Sequence, residues 1–211
     1  MPLKQNTTGK LISFEGSEGS GKSTQITRLA EHFQKSHRDV ITTREPGGTA
    51  LGAEVRRIVM HLPETPPTPL TELLLYLADR AQHVAEVITP ALTRGQLVLT
   101  DRFSASTIAY QGYARGQDIE LVRRLDAIAR QGLTPHLTIL LDCPVADGLR
   151  RARGSDRFHS EDQAFHERVR AAFLEFARQE PDRYCVIDAT RPEAQVQREV
   201  MAAVRQCLER R

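Results

Sequence analysis

Eight consecutive residues near the start of the chain have the types and the spacing that hold the phosphates of a nucleotide. They fit the pattern G-x-x-x-x-G-K-[ST] and run Gly16-Ser17-Glu18-Gly19-Ser20-Gly21-Lys22-Ser23, with Thr24 next. A predicted strand (LISFE) precedes this loop, and a predicted helix (KSTQITRLAEHF) begins with it, which argues against a chance Gly/Ser-rich turn. Backbone N–H groups would cradle the phosphates, Lys22 would reach the β- and γ-phosphates, and the Ser23 hydroxyl would ligate Mg2+. The loop therefore predicts a site for a nucleoside triphosphate such as ATP or GTP.

Two carboxylates follow apolar runs and compete for a second role at the magnesium. Asp101 ends the run Leu97–Thr100, and Asp142 follows Thr138–Leu141. The carboxyl ends of parallel strands form the edge of the sheet where ligands bind. Because a helical run follows Asp142, we interpret it as a helix N-cap. Asp101, with Arg102 beside it, predicts a place for both a cation and a second phosphate, and a structural ion pair is the alternative.

A cluster of arginines predicts a lid. Arg150, Arg151, Arg153 and Arg157 run from the end of a predicted helix into a Gly-Ser break. A solvated basic face is the usual explanation of such a run. Phosphoryl transfer, however, depends on neutralising the charge of the transferred group, so a mobile arginine-rich segment suits a phosphate-binding loop. We predict a lid at about residues 150–160, with Arg153 as the first catalytic candidate and Arg157 as the second.

The composition excludes several classes of protein. The 211 residues are 40% hydrophobic and 27% charged, as in ordinary globular proteins. Lys+Arg 29 against Asp+Glu 27 gives a net charge of +2, too balanced for a protein that coats nucleic acid or an anionic membrane. The longest apolar run, Leu73–Ala78, is far shorter than the roughly 20 residues that span a bilayer. We therefore predict a cytoplasmic protein with no nucleic-acid or membrane partner, and its three widely spaced cysteines are expected to be free thiols.

Short β-rich runs alternate with longer helical patterns. Five continuous apolar or β-branched runs have the character of strands buried on both faces of a parallel sheet: Leu11–Phe14, Val40–Thr43, Leu97–Thr100, Leu137–Leu141 and Tyr184–Ile187. The predicted helices are Lys22–Lys35, Leu51–Met60, Leu70–Leu92, Ile119–Arg130, Val145–Arg153, Asp162–Gln179 and Glu193–Glu209. This order predicts an α/β fold with a doubly wound parallel sheet. No repeat or linker interrupts it, so we predict a single domain over residues 1–211.

Seven segments together resemble the bacterial thymidylate kinase family. A phosphate-binding loop is shared by many proteins, but REPGGT followed by DRF…S…AYQG is highly specific. The segments are FEGSEGSGKST, TREPGGT (Thr43–Thr49), LYLADRAQHV (Leu75–Val84), TDRFSASTIAYQG (Thr100–Gly112), PHLTILLD, LRRARG…DR and VIDAT (Val186–Thr190). The resemblance implies transfer of the γ-phosphoryl group of ATP to dTMP, giving dTDP and ADP with Mg2+, for dTTP synthesis. It also implies a five-stranded parallel sheet of order 2-3-1-4-5 and a homodimer.

The resemblance implies roles at the phosphates. Glu18 matches the family's acidic residue facing the deoxyribose 3′-hydroxyl and the magnesium waters. Arg102 matches the arginine that grips the dTMP phosphate, and Asp101 matches the carboxylate near the magnesium. Arg44 belongs to the substrate-binding REPGGT segment, where shaping the turn is its alternative role. In the family the peptide bond before the matching proline, here Pro46, is often cis.

The resemblance also implies roles at the nucleoside. Tyr76 matches the aromatic ring that stacks on thymine, and Arg80 matches the arginine that contacts a base carbonyl. Thr107 matches the polar residue near the thymine ring nitrogen, Tyr110 the ring packed against the sugar 2′ position, and Gln111 lies near the same ligand. Thr107 and Tyr110 could also be packing residues of a helix.

Other interpretations of the same residues remain. Tyr76 could be plain core, and Arg80 could pair with Asp79 or Glu86 on the surface. Some thymidylate kinases carry a catalytic arginine in the phosphate-binding loop, but this loop has none, so its positive charge is expected from the lid. The lid looks a few residues shorter than the family pattern.

Functions of other classes fit the sequence less well. A regulatory GTPase would need an N-K-x-D motif, which the chain lacks. A nucleic-acid-binding protein would need a broad basic or aromatic surface. A kinase for another nucleoside monophosphate is the closer alternative, since only the family motifs distinguish such a kinase from a thymidylate kinase.

Overall fold

The structure is a computed structural model that describes residues 8–61, 66–152, 157–158 and 160–210. Within these ranges the strands are β1 (Lys10–Glu15), β2 (Val40–Arg44), β3 (Leu97–Asp101), β4 (Leu137–Asp142) and β5 (Tyr184–Asp188). The helices are α1 (Lys22–Lys35), α2 (Ala50–His61), α3 (Pro69–His83), α4 (Thr89–Thr93), α5 (Ser104–Thr107), α6 (Ile119–Ala129), α7 (Val145–Arg151), α8 (Gln163–Gln179) and α9 (Glu193–Glu209). Each predicted strand agrees with the observed one to within one residue at either end. Arg153, the predicted end of α7, lies outside the described residues.

The strands form one parallel sheet in the order β2-β3-β1-β4-β5, as predicted. The continuous apolar runs produce this arrangement because helices cover both faces of the sheet. In the register, Phe14 on β1 lies between Asp101 on β3 and Ile139 on β4. Asp101 therefore stands at the carboxyl edge of the sheet, beside the residues that begin the phosphate-binding loop.

The two faces of the sheet carry different cores. On one face α1 and α9 pack aliphatic and aromatic side chains, among them Leu29, Phe33 and Val200, against β1 and β4. On the other face α8 contributes an aromatic cluster that includes Phe165 and Phe173. The site described below lies above the carboxyl edge, between these layers.

The predicted helix Leu70–Leu92 is interrupted by a wider turn. Helix α3 ends at His83, residues Val84–Ile88 form a π-helical turn, and α4 continues from Thr89. The Thr89 N–H donates to the carbonyl of Val84, five residues back. Pro90 has no N–H and could not continue the α-helical hydrogen-bond pattern.

A helix that the sequence patterns do not predict follows β3. It begins as α5 and continues as a π-helical segment, Ile108–Ala114. Most of its side chains are buried, so it lacks the polar face that gives a helical period. This helix carries Thr107, Tyr110 and Gln111.

The N-cap interpretation of Asp142 is wrong. Its carboxylate accepts two hydrogen bonds from Arg170 on α8, Nε at 2.7 Å and Nη2 at 2.9 Å. Pro144 stands at the N-cap of α7 instead, without a side-chain hydrogen bond. A bidentate arginine is a stronger partner for a carboxylate than a single backbone N–H, and the pair ties α8 to the end of β4.

Three further findings concern the described residues. Cys143, Cys185 and Cys207 are free thiols, as predicted. None of the described helices combines the length and the apolar character needed to cross a membrane. Nor does any group of three or more His, Cys, Asp or Glu side chains in these ranges come together as a metal centre.

Helix α7 approaches the phosphate-binding loop closely. A Cβ atom added at Gly148 would collide with the backbone oxygen of Glu18, and one added at Gly19 would collide with the backbone of Gly148. Two backbones are therefore in contact here, and only glycine permits that distance.

We expect Gly148→Ala to destabilise the protein by about 1 to 3 kcal/mol, because the methyl group forces two backbones apart. Gly112→Ala is the matched control, since a Cβ on this helical glycine would lie 3.6 Å from Ile119 Cγ1, an ordinary contact. Its stability should be unchanged or higher by up to about 1 kcal/mol. Urea unfolding measures both, and equal stabilities would contradict the close approach.

Candidate active site

The phosphate-binding loop connects β1 to α1 and depends on three glycines with positive φ. Gly16, Gly19 and Gly21 have φ values of 141°, 66° and 90°, which side chains other than glycine's rarely tolerate. The loop curls around the ammonium of Lys22, which donates to the carbonyls of Gly16 and Ser17 at 2.9 Å each. Burial and the neighbouring Arg102 lower the pKa of Lys22 to about 8, against the attraction of Asp101 and Glu18.

Ser23 and Asp101 meet at the mouth of the loop. The Ser23 hydroxyl donates to Asp101 Oδ2 at 2.8 Å, so the two predicted metal residues lie together although 77 residues separate them in sequence. A hydroxyl and one carboxylate suit Mg2+, which takes few protein oxygens and fills its octahedron with waters and substrate phosphates.

A cavity of about 930 Å3 opens above the loop. Residues 18–24 of the loop and helix line it, together with Arg44, Glu45, Arg56, Asp101 and Arg102. Its size falls within the usual range of ligand sites. Arg56 is a lining residue that the sequence patterns did not identify. The cavity brings most of the predicted nucleotide-binding residues together with both predicted metal residues, and we call it the donor cavity.

A second, smaller cavity adjoins the first. It encloses about 40 Å3, and we call it the acceptor cavity. All five residues matched to the nucleoside line it, together with Phe158: Tyr76, Arg80, Thr107, Tyr110 and Gln111. Glu18, Glu45, Met60 and Arg102 line both cavities. The residues matched to the nucleoside therefore lie together around one cavity.

Arg102 stands between the two cavities in a backbone conformation rare for its type. Its φ is 71°, in the left-handed region. Its Nη2 donates to Glu18 Oε1 at 2.7 Å and its Nη1 to the carbonyl of Gly16 at 3.3 Å. The guanidinium also lies 5.0 Å from the centroid of the Tyr110 ring. Arg102 therefore pairs with Glu18, whereas Asp101, the ion-pair partner that the sequence offered as an alternative, accepts the Ser23 hydroxyl.

Arg80 is buried, so the alternative of a surface pair with Asp79 or Glu86 is wrong. It is 1% exposed and contacts Glu45 and Asp126 at 2.7 Å each. It also donates to the Thr107 hydroxyl at 2.8 Å. Burial opposes the charge of Arg80, but the two carboxylates outweigh it and raise its pKa.

Glu45 joins the two cavities to α3. Its second oxygen contacts Nδ1 of His83 at 2.8 Å, and Nε2 of His83 lies 2.6 Å from the Thr43 hydroxyl. Burial would raise the pKa of Glu45, but Arg80 and His83 lower it. The peptide bond between Glu45 and Pro46 is cis, as the family resemblance implies.

Asp79 and His83 were not among the predicted site residues. The carboxylate of Asp79 accepts the N–H of Gly47 at 3.1 Å, and burial raises its pKa to about 6. Their spacing in the sequence could have identified them: Asp79 and His83 flank Arg80 and lie about one helical turn apart. They hold the REPGGT segment against α3.

The arginines of the predicted lid separate into different environments. Arg150 is exposed and pairs with Asp147 at 2.8 Å. Arg151 lines the donor cavity and donates to the carbonyl of Ala189 at 2.8 Å. Arg153 lies outside the described residues.

Arg157 lies on the acceptor side of the site. It pairs with the buried carboxylate of Glu72 and donates to the carbonyl of Val59 at 3.2 Å. The structure therefore does not bring Arg157 to the phosphate-binding loop. Of the described lid arginines, Arg151 lines the donor cavity, although the sequence placed it behind Arg153 and Arg157.

Comparison with known proteins agrees with this geometry. The family model described as "Thymidylate kinase" matches residues 14–200. The thymidylate kinase of Deinococcus radiodurans is 50% identical over 199 residues, covering 93% of this chain and 96% of that protein. The thymidylate kinase of Trichlorobacter lovleyi is 46% identical over 202 residues, covering 92% and 95%.

A solved structure shows the same architecture. The crystal structure of thymidylate kinase from Ehrlichia chaffeensis superposes with a TM-score of 0.77 at 34% identity, covering 93% of this chain and 98% of that one. The sheet order, the paired cavities and these matches lead to one conclusion: the chain belongs to the thymidylate kinase family.

Proposed function

We propose that the chain transfers the γ-phosphoryl group of ATP to dTMP, giving dTDP and ADP on the route to dTTP, and that the residues of the two cavities perform this transfer. Membership of the thymidylate kinase family supports this reaction. The observation that supports this site is the wall shared by both cavities, where Glu18 and Arg102 meet. A phosphoryl group can pass there without crossing water.

In the donor cavity the loop residues Gly16–Ser23 and Thr24 hold the triphosphate through backbone N–H groups. Lys22 exchanges its carbonyl partners for the β- and γ-phosphates and neutralises charge as it develops. Ser23 and Asp101 would hold Mg2+, which when bound neutralises phosphate oxygens. One oxygen of the dTMP phosphate forms a bond to the γ-phosphorus while the bond to the bridging oxygen of ADP breaks.

In the acceptor cavity Arg102 holds the dTMP phosphate, turning from Glu18 toward the incoming anion. Glu18 then faces the sugar hydroxyl and the metal-bound waters. Tyr76 stacks on the thymine, while Arg80 and Thr107 present donors fixed by the Glu45 and Asp126 carboxylates. Tyr110 and Gln111 lie beside the sugar, and Arg44 lines the donor cavity.

Lys22→Ala should lower kcat by at least about a hundredfold, because one preorganised charge at a transferring group contributes about 3 kcal/mol or more. A coupled assay of ADP release with dTMP as acceptor measures kcat of this variant.

The same assay on the wild-type enzyme compares dTMP, dUMP, dCMP and AMP as acceptors. We expect dTMP to have the highest kcat/KM.

Lys35→Ala is the control, since Lys35 is an exposed lysine at the far end of the same helix. Its kcat should match the wild type. Near-normal turnover by Lys22→Ala would contradict the proposed role of the loop, and a preference for AMP would contradict the proposed acceptor.

We propose in addition that residues 1–211 act as one P-loop kinase domain whose lid, about residues 150–160, supplies the charge that the loop lacks. Arg151 on the wall of the donor cavity supports this. Arg153 and Arg157 stay candidates for the closed state, in which Arg157 would have to leave Glu72.

Alanine variants of the four lid arginines should separate in single-turnover experiments. Arg150→Ala serves as the internal control, because its side chain is 76% exposed and paired with Asp147. At least one of Arg151→Ala, Arg153→Ala and Arg157→Ala should lose more than about tenfold in rate, roughly 1.4 kcal/mol. The loss should fall on kcat more than on KM for dTMP. If the single-turnover rates of all four variants stay within tenfold of the wild-type rate, the segment is a solvated basic face and not a catalytic lid.

We also propose that the chain forms a homodimer through α2, α3 and α6. Large apolar side chains stand exposed on these neighbouring helices: Leu51, Leu70, Leu74, Leu121 and Ile128. Ile128 is 73% exposed. Apolar side chains gathered on one face are typical of subunit interfaces.

Light scattering should give twice the chain mass of 23.7 kDa for the wild type. The double variant Leu74→Glu/Ile128→Glu should shift toward the monomer, because two charges cannot be buried unpaired. Leu174→Glu, on an exposed leucine of α8 outside this patch, should stay a dimer. A wild-type monomer at assay concentration would exclude this assembly.

A further inference from the structure

Glu15 is a buried carboxylate for which the reaction outlined above has no role. It is the last residue of β1, directly before the phosphate-binding loop, and its side chain is fully buried. Oε1 accepts the backbone N–H of Phe103 at 2.8 Å, and Oε2 accepts the hydroxyl of Ser106 at 2.6 Å. Both partners belong to the segment that follows Arg102.

The turn at Arg102 is held from both sides. Its own N–H donates to the carbonyl of Phe14 at 3.0 Å, and its carbonyl accepts the Thr100 hydroxyl at 2.9 Å. Glu15 fixes the next N–H along the chain, that of Phe103. A left-handed residue other than glycine persists only where its surroundings determine it. Here β1 supplies two of the hydrogen bonds that do so.

A second connection reaches the guanidinium itself. Ser106 Oγ donates its hydrogen to Glu15 and accepts Nη1 of Arg102 at 3.1 Å. The carboxylate thereby fixes the direction of the hydroxyl, whose lone pair faces Arg102. The other end of the guanidinium, Nη2, contacts Glu18.

We propose that Glu15 is a positioning residue for acceptor binding: it fixes the left-handed turn at Arg102 and, through Ser106, aims the guanidinium at the acceptor phosphate. The inference rests on the proposed role of Arg102. Glu15 does not line the donor or the acceptor cavity and would act through Arg102 alone.

The protonation of Glu15 agrees with this role. Burial raises its pKa to about 7, although Ser106, Arg102, the Phe103 N–H and Arg80 all lower it. Lys22, Tyr110 and Tyr184 also interact electrostatically with this carboxylate. The charged form, which accepts both hydrogen bonds, therefore prevails above about pH 7. Below that pH a proton on Glu15 competes with the hydrogen of Ser106.

The test is a double-mutant cycle of Glu15→Gln and Arg102→Ala. Glutamine keeps the size of the side chain but offers one acceptor oxygen in place of two. Calorimetry with dTMP at pH 8 gives the dissociation constant, and steady-state kinetics give KM for dTMP and for ATP. Glu15→Gln should weaken dTMP binding about tenfold and leave KM for ATP within twofold. In the Arg102→Ala background it should change KM for dTMP less than twofold.

Two further variants complete the experiment. Ser13→Ala removes a buried hydroxyl from the same strand, where it bonds Thr138 rather than the Arg102 turn, and should leave dTMP affinity within twofold. Ser106→Ala cuts the link to the guanidinium and should weaken dTMP binding at least threefold even if Glu15→Gln fails to fold.

Three results would overturn the proposal. Equal losses from Glu15→Gln in both backgrounds would make its role purely structural. Wild-type dTMP affinity in both Glu15→Gln and Ser106→Ala would remove it altogether. Normal dTMP binding by Arg102→Ala would show that Arg102 does not hold the acceptor phosphate, and the role of Glu15 would fall with it. The proposed function would still stand in that case if the wild-type enzyme phosphorylates dTMP.

Discussion

A buried guanidinium determines how the parts of this site meet. Arg80 on α3 is almost fully enclosed, and its two acidic partners come from separate places: Glu45 after β2 and Asp126 on α6. Removing one partner of a buried pair typically costs about 3 to 5 kcal/mol, because a charge is left without compensation. The three segments are therefore held together at the acceptor cavity. Since Glu45 lines both cavities, the same constraint fixes the position of one cavity relative to the other.

The donor side compensates charge with arginines from several elements. The phosphate-binding loop offers only Lys22, but Arg44 and Arg56 line the same cavity from the β2–α2 region, Arg102 from the end of β3, and Arg151 from α7. A triphosphate carries several negative charges, and preorganised cations around it need no rearrangement of solvent during transfer. Distributing the cations over distant segments makes the site depend on the whole sheet edge.

The sequence predicts the parts of the fold whose physics is local. The strands follow from continuous apolar runs, and the phosphate-binding loop from glycine spacing between a strand and a helix. The helix carrying Tyr110 does not follow, because it is buried on nearly all sides and lacks a polar stripe. Asp142 shows a second limit: its partner Arg170 is 28 residues away, and only the folded chain brings them together. Arg157 shows the same limit, since its contact with Glu72 spans 85 residues.

Phe158 has a consequence for how strongly the acceptor cavity can bind an aromatic base. Its ring is buried beside Tyr76 and Tyr110, at centroid distances of 6.4 and 5.7 Å, and the cavity left over is about 40 Å3. Phe158 therefore already covers part of the Tyr76 and Tyr110 rings with apolar surface. Only newly buried apolar area adds to the hydrophobic contribution, so surface that is covered beforehand contributes less to the affinity for a stacked base.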